Sequence, residues 1–203
     1  MKQKFKHINR LFLISIFLLS LSVPRLISAH PHVFIDTKIK VYFDEKGMSG
    51  IKLTWTFDDL FSELMMDEFD EDFDEQFNKE EQKVIYSKAF TNLKKFNYFT
   101  EIIIDGKAFD IKYVTNFTAS LNDGIMVYSF FIPCHISANN TNRKVDIYTY
   151  DNSYYMDLSL ASSDISFAKS QNYKITYQVT EDTDKKYYFD QISPQVLHLT
   201  FRK

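Results

Sequence analysis

Between Phe69 and Gln82 the chain reads Asp70-Glu71-Asp72-Phe73-Asp74-Glu75-Gln76-Phe77-Asn78-Lys79-Glu80-Glu81, with oxygen ligands recurring at alternate positions. Set on the twelve-residue calcium loop of an EF-hand, Asp70, Asp72 and Asp74 take positions one, three and five. Gln76 offers its backbone carbonyl at seven, Asn78 stands at nine, and Glu81 is the bidentate twelfth ligand. The spacing has a chemical reason: a hard cation needs hard oxygens from all round, and a tightly coiled loop turns alternate side chains inward. Position six asks for Gly, because the chain turns sharply there into a left-handed conformation, and this sequence places Glu75 there. No second loop exists to pair with, so calcium is expected to bind weakly, toward the millimolar end of the range for such loops. The same residues also read as a solvated acidic turn in which Asn78 caps a second helix and Glu81 completes a capping box.

A second ligand set stands near the start. Lys2, Lys4, Lys6 and Arg10 come without an acid, an apolar run follows from Leu11 to Val23, Pro24 ends it, and Ile27-Ser28-Ala29 puts a small residue at a cut. This is the three-part pattern of a cleavable secretory signal over residues 1–29, and the run falls short of the roughly 20 apolar residues that span a bilayer. The expected address is therefore periplasmic or secreted, with no membrane span after cleavage. Cleavage after Ala29 would leave His30-Pro31-His32 at the front. The free amine and imidazole of His30 could chelate one ion together, and His32 and Asp36 lie on the same side of an extended chain. Imidazoles suit zinc, nickel, cobalt or copper. Pro31 lacks the amide N–H that a three-residue copper or nickel clip requires. His135 and His198 are the further imidazoles, and the two leading histidines read equally well as exposed polar residues on a first strand.

Charge narrows the partners. Residues 1–29 hold five basic side chains (Lys2, Lys4, Lys6, Arg10, Arg25) and no acid, so the remaining 174 residues carry 19 basic and 27 acidic side chains, a net charge of −8. Nucleic acid is disfavoured, because it is held mainly by Lys and Arg on phosphates. A cationic partner such as a metal ion fits, as does a merely solubilising surface. Cys134 is the one thiol, so an internal disulfide is excluded, and its place at the end of an apolar run reads as buried and inert. No Ser-His-Asp setting and no Gly-rich phosphate loop is found, so an enzyme is not expected.

The elements that would position these residues follow from periodicity. Val33–Phe43 and Ile51–Phe57 alternate as two strands, with Gly47 and Gly50 between them. From Asp58 to Phe69 the apolar residues Leu60, Phe61, Leu64, Met65 and Phe69 recur at helical spacing, with Asp58 or Asp59 as N-cap. A second helix is expected from about Asn78 to Phe96, its stripe being Ile85, Tyr86, Ala89, Phe90, Leu93 and Phe96. Strand-like runs follow at 99–104, 109–115, 125–132, 145–150, 154–160, 173–179 and 196–201, with Asp105-Gly106 and Asp123-Gly124 as hairpin turns. The expected fold class is α+β: one β-sandwich-like domain over residues 30–203, carrying an EF-hand-like helix-loop-helix inserted at about 58–97.

Four stretches carry a resemblance. His30-Pro31-His32-Val33-Phe34-Ile35-Asp36, Trp55-Thr56-Phe57-Asp58-Asp59, Tyr98-Phe99-Thr100 and Tyr150-Asp151-Asn152-Ser153-Tyr154-Tyr155 make the chain similar to the exported bacterial proteins grouped as domain of unknown function 1007. Relatives carry a similar acidic loop with Gly where Glu75 stands, and Pro is common where this chain has Asn152. The resemblance implies the periplasmic component of an uncharacterised transport system, paired with a membrane permease of the nickel/cobalt type and without catalytic activity. The expected function is an extracytoplasmic accessory protein for transition-metal handling. The alternative is a non-metal interaction module with a structural role at the cell envelope, in which Tyr154-Tyr155 would be the first contact to examine.

Overall fold

The computed structural model describes residues 31–203; His30 and the segment read as a secretory signal lie outside the described residues. Strand β1 (Val33–Phe43) buries Val33, Ile35, Thr37, Ile39, Val41 and Phe43 and turns the intervening side chains outward, the period of two that a one-sided sheet imposes. It pairs antiparallel with β2 (Gly47–Phe57), which begins four residues before the expected strand. The turn is therefore made by Asp44–Lys46, where the Asp44 carboxylate accepts from the Lys46 and Gly47 amides. Gly50 lies inside β2 because the neighbouring strand β6 (Ile125–Ser137) crowds it: a Cβ there would sit 2.5 Å from the Ile132 carbonyl oxygen.

The first sheet has the order β5 (Thr115–Asn122), β6 (Ile125–Ser137), β2, β1, β8 (Met156–Ser159), with β9 (Ile165–Ala168) beside β8 on the same edge of β1. Both β8 and β9 run parallel to β1, the first along its opening half and the second along its closing half. The second sheet has the order β10 (Lys174–Glu181), β11 (Gln195–Arg202), β7 (Arg143–Thr149), β3 (Thr100–Ile104), β4 (Lys107–Phe109) and is antiparallel throughout. One apolar cluster draws on both sheets. Phe43 of β1 meets Phe201 of β11 edge-on at 5.2 Å, and Trp55, fully buried, packs on Phe130 at 4.9 Å and on Phe99 at 6.2 Å. The fold is mixed α+β, two β-sheets with a short helical insertion between β2 and β3.

Helix α1 (Asp59–Phe69) starts at Asp58, whose Oδ1 accepts from Phe61 N at 2.8 Å while Oδ2 accepts from Phe34 N at 2.7 Å. One carboxylate thus caps the helix and ties it to β1. Fully buried Ser62 locks the other side: its hydroxyl donates to the Asp58 carbonyl and accepts from Met126 N of β6 at 2.9 Å. Met65 and Phe69 are buried as expected, but Leu60 and Leu64 are 64% and 58% exposed, because α1 meets the sheet along the narrower Ser62–Met65–Phe69 line.

Helix α2 (Lys79–Lys88) ends eight residues before Phe96, correcting the longer helix read from periodicity. A 3-10 segment (Phe90–Phe99) follows, with Asn97, Tyr98 and Phe99 at φ near 50°. The break lets Phe90, Tyr98 and Phe99 all enter the core, which one straight helix could not do. Phe90 stacks 4.0 Å from Phe117 of β5 and Tyr98 lies 6.0 Å from Phe130, while Tyr86 and Phe96 stay exposed. Two further corrections concern strands. The run 109–115 is irregular after Phe109, and β5 begins only at Thr115; β9 had no expectation, since its four residues are too few to show a period.

Candidate metal centre

The acidic loop hangs between α1 and α2, and Phe69 and Phe77 anchor its two ends in the core, 7% and 6% exposed. Within the loop one ligand atom each from Asp70, Asp72 and Asp74 lies within 4.8 Å of the others, the single such grouping of three His, Cys, Asp or Glu side chains among the described residues. Asp70 is buried; Asp72 and Asp74 face solvent. The backbone explains the convergence. Asp70 accepts from Asp74 N at 3.3 Å and from Glu75 N at 3.0 Å, and Asp74 accepts from Gln76 N at 2.9 Å, so successive carboxylates curl the chain around themselves. The curl requires left-handed residues at Phe73 (φ 58°) and Glu75 (φ 60°). Glu75 therefore adopts the conformation that favours glycine, at the position where the spacing asked for one.

At the far end the capping box is complete. Asn78 Oδ1 accepts from Glu80 N and Glu81 N, and Glu81 Oε2 accepts from Asn78 N at 2.8 Å. Glu81, 4% exposed, also uses Oε1 to accept from Glu71 N at 2.9 Å, clamping the start of the loop to the start of α2. Asn78 Nδ2 reaches Asp72 Oδ2 at 3.5 Å. Among the described residues no Lys, Arg or His forms an ion pair with Asp70, Asp72, Asp74 or Glu81; nearby Lys83 pairs with Glu80 instead. Converging carboxylates without a basic partner leave negative potential uncompensated, and a hard divalent cation can supply the missing charge. Each carboxylate oxygen that accepts one amide retains a second lone pair. The donor set is all oxygen, which suits calcium, magnesium or manganese rather than a thiophilic metal. Gln76, expected to contribute its backbone carbonyl, has an exposed side chain.

The other expected ligands are placed differently. His30 lies outside the described residues. His32 is exposed, with its backbone N–H donating to the Tyr155 carbonyl at 2.9 Å and its ring 5.0 Å from the Tyr155 ring. Asp36 is four residues on, about 13 Å along an extended chain, and accepts from Ser159 Oγ at 2.8 Å. Strand geometry thus keeps Asp36 on the face of His32 but does not bring the two together. His135 is exposed on β6. His198 Nδ1 lies 2.6 Å from Asp146 Oδ1 across the β7–β11 pair, a partnership that no spacing in the sequence announces. Cys134 is fully buried, and burial pushes its thiol up to about 12, so it stays protonated and unreactive at neutral pH.

Asp151 has a structural role that no ligand or cap spacing in the sequence singles out. It is buried, with its carboxylate accepting from the amides of Ser153, Tyr155 and Met156 and from the Ser153 hydroxyl, so it turns the chain into β8. An Asp two residues before Ser in a Tyr-rich stretch is the only local signal of that role. No helix among the described residues is long and apolar enough to cross a membrane.

Comparison with known proteins gives three matches. Residues 15–197 match the family described as protein of unknown function (DUF1007). An "Uncharacterized 15.5 kDa protein in trpE 3'region" from Spirochaeta aurantia is 24% identical over 113 residues, 55% of this chain and 80% of the relative. An "Uncharacterized protein" from Haemophilus influenzae is 24% identical over 148 residues, 71% of this chain and 69% of the relative. Neither name assigns an activity.

Proposed function

The chain belongs to the DUF1007 family of proteins of unknown function, and from that premise we propose that it is an exported accessory protein for divalent-metal handling. The observation that carries the metal reading is the convergence of Asp70, Asp72 and Asp74 within 4.8 Å in a loop without a basic partner. The loop is EF-hand-like in spacing, in its left-handed sixth residue and in the acceptance of two loop amides by its first Asp; it would hold calcium, or a comparable hard cation, weakly. The role proposed for the loop is one of binding, in which the carboxylates of residues 70–81 supply ligand oxygens. For a transition metal the processed amine and imidazole of His30, with His32, remain the proposed ligands, delivering to a membrane permease in the periplasm. What supports this part is the sequence pattern and the family resemblance.

Isothermal titration of the processed protein with calcium, manganese, zinc and nickel tests both sites. Saturable calcium or manganese binding that disappears in D70N/D72N/D74N supports the loop. Zinc or nickel binding that weakens when one extra residue precedes His30 supports the amino terminus. Absence of saturable binding by any of the four ions up to about 10 mM overturns the metal reading. It would favour the interaction module instead, for which Tyr154 and Tyr155, the latter 48% exposed with its ring 5.0 Å from that of His32, are the surface to examine.

A further inference from the structure

An edge strand carries backbone donors and acceptors that its own sheet does not satisfy, and folds guard such edges by shortening, bending or covering them. The first sheet is guarded at both edges. Strands β8 and β9 run for 4 residues each, and β5 slips register between Thr115 and Thr118, where Asn116 is left-handed at φ 54°. In the second sheet β4 stops after 3 residues. Strand β10, on the opposite edge, has none of these devices. It runs for 8 residues, keeps one register with β11 throughout, and contains no Pro and no left-handed residue. Its charges, Lys174 and Glu181, stand only at its ends.

One bond just past the strand fixes where its backbone groups point. Asp182 N donates to the Pro194 carbonyl at 2.9 Å, in the register that pairs Glu181 with Gln195. Hydrogen bonding alternates along an antiparallel pair, so Thr180, Gln178, Thr176 and Lys174 turn their amides and carbonyls to β11. Ile175, Tyr177, Val179 and Glu181 turn theirs to the free edge, where no hydrogen bond engages them among the described residues. Side chains alternate with the same period. Ile175, Tyr177 and Val179 stand opposite buried Phe201, Leu199 and Leu197 on the inner face, which leaves Lys174, Thr176, Gln178, Thr180 and Asp182 on the outer face.

A second copy of this chain fits that edge by symmetry. A two-fold axis through an antiparallel pair sets like residues opposite each other at its centre. Centred on Gln178, the pair sets Tyr177 against the partner's Val179 and Ile175 against the partner's Glu181, so every edge-facing amide and carbonyl is engaged. The same register sets Lys174 against the partner's Asp182 at both ends of the outer face. Lys174 has no ion-pair partner among the described residues, and the Tyr148 hydroxyl holds the Asp182 carboxyl below the ordinary range, so both are charged at neutral pH. Opposite charges, and an aromatic beside a β-branched residue, are cross-strand pairs that stabilise a sheet. Centred on Tyr177 instead, the pair would set Glu181 against the partner's Tyr173, yet the Tyr173 amide already donates to the Ser170 carbonyl at 3.0 Å. We propose that β10 pairs antiparallel with β10 of a second copy about a two-fold axis at Gln178, joining two five-stranded sheets into one.

Sedimentation equilibrium of the processed protein, with residue-resolved amide hydrogen exchange, tests the pairing. A monomer–dimer equilibrium is expected below about 0.5 mM. As concentration rises through it, exchange should slow at Ile175, Tyr177, Val179 and Glu181, while Thr176, Gln178 and Thr180, bonded to β11, are protected throughout. K174D and D182K each set like charges against each other at both ends, and each should weaken self-association about tenfold or more. Mixed together, the two variants restore both opposite-charge pairs and should form a heterodimer as tight as the parent dimer. The exchange pattern of the parent needs no variant, so the test stands even if D182K, which loses the acceptor of the Tyr148 hydroxyl, does not fold. The proposal is overturned if the parent stays monomeric to about 0.5 mM, or if a dimer forms whose edge-facing amides exchange as in the monomer. It is equally overturned if the folded variants associate no better mixed than alone, or if those amides are protected in a monomeric chain, which would put a different strand on the edge.

Discussion

Asp72→Asn distinguishes a cation site from an acidic helix cap, because the two readings predict different temperature shifts. Asp72, Asp74 and Asp70 place carboxylate oxygens within 4.8 Å of one another. At that separation each like-charge pair costs about 0.9 kcal/mol even in the dielectric of water, and physiological salt removes roughly half. Asp72 belongs to two of the three pairs. Neutralising it in metal-free protein should therefore stabilise the fold, by at most about 1 kcal/mol once solvent around the exposed carboxylates is allowed for. That is a rise of roughly 2–4 °C in melting midpoint for a chain of this size. Calcium reverses the comparison. A site with a dissociation constant of about 1 mM gains about 1.4 kcal/mol at 10 mM calcium, and a variant bound tenfold more weakly gains only about 0.4. Melting curves followed by circular dichroism in chelator and in 10 mM calcium, at matched ionic strength, should thus be separated in the first condition and coincide in the second. The reasoning fails if D72N melts at or below the parent in chelator, or if calcium raises both proteins equally.

Four further outcomes are expected. Glu75→Gly exchanges left-handed strain of roughly 1 kcal/mol for the similar cost of a more flexible unfolded chain, so stability should barely change while calorimetry shows several-fold tighter calcium binding. Ser62→Ala leaves the Met126 amide without its acceptor in the core, and urea unfolding should register a loss of about 1–3 kcal/mol. Asp105 is held below the ordinary carboxylate range by the Lys144 amide and then by Arg143; a lowered folded value stabilises above pH ~4 and is lost as pH falls through it. Asp105→Asn should accordingly flatten the acid limb of a stability-against-pH curve, and an unchanged limb would remove the linkage. Cys134 should resist a thiol-specific disulfide reagent at pH 8 in the folded protein and react fully in denaturant.

Much of the candidate site was legible because its determinants are local. Asp70, Asp74, Asn78 and Glu81 act through amides at most five residues away, apart from the Glu81 clamp on Glu71, and Asp72 meets only the Asn78 side chain six residues on, so spacing alone foretold both the carboxylate grouping and the capping box. The demand for a left-handed residue at Glu75 could be read for the same reason. Alternation placed β1 correctly to the residue, since one buried face enforces a strict period of two. The length of α2 was misread because its apolar stripe continues past Lys88 in sequence although the core takes Phe90, Tyr98 and Phe99 from a broken segment.

What the sequence determined by itself, then, is the chemistry of the loop between the helices: which oxygens it offers, where it turns, and how its second helix is capped. Only tertiary structure decided what lies across the sheets. The pairing of His198 with Asp146, the tie from Asp58 to the Phe34 amide and the parallel seating of β8 on β1 all join residues distant along the chain. The physical reason is range. Caps and turns are closed by hydrogen bonds within a few residues, whereas strand order and free edges follow from how two sheets bury one shared apolar cluster, and no short window of residues contains that information.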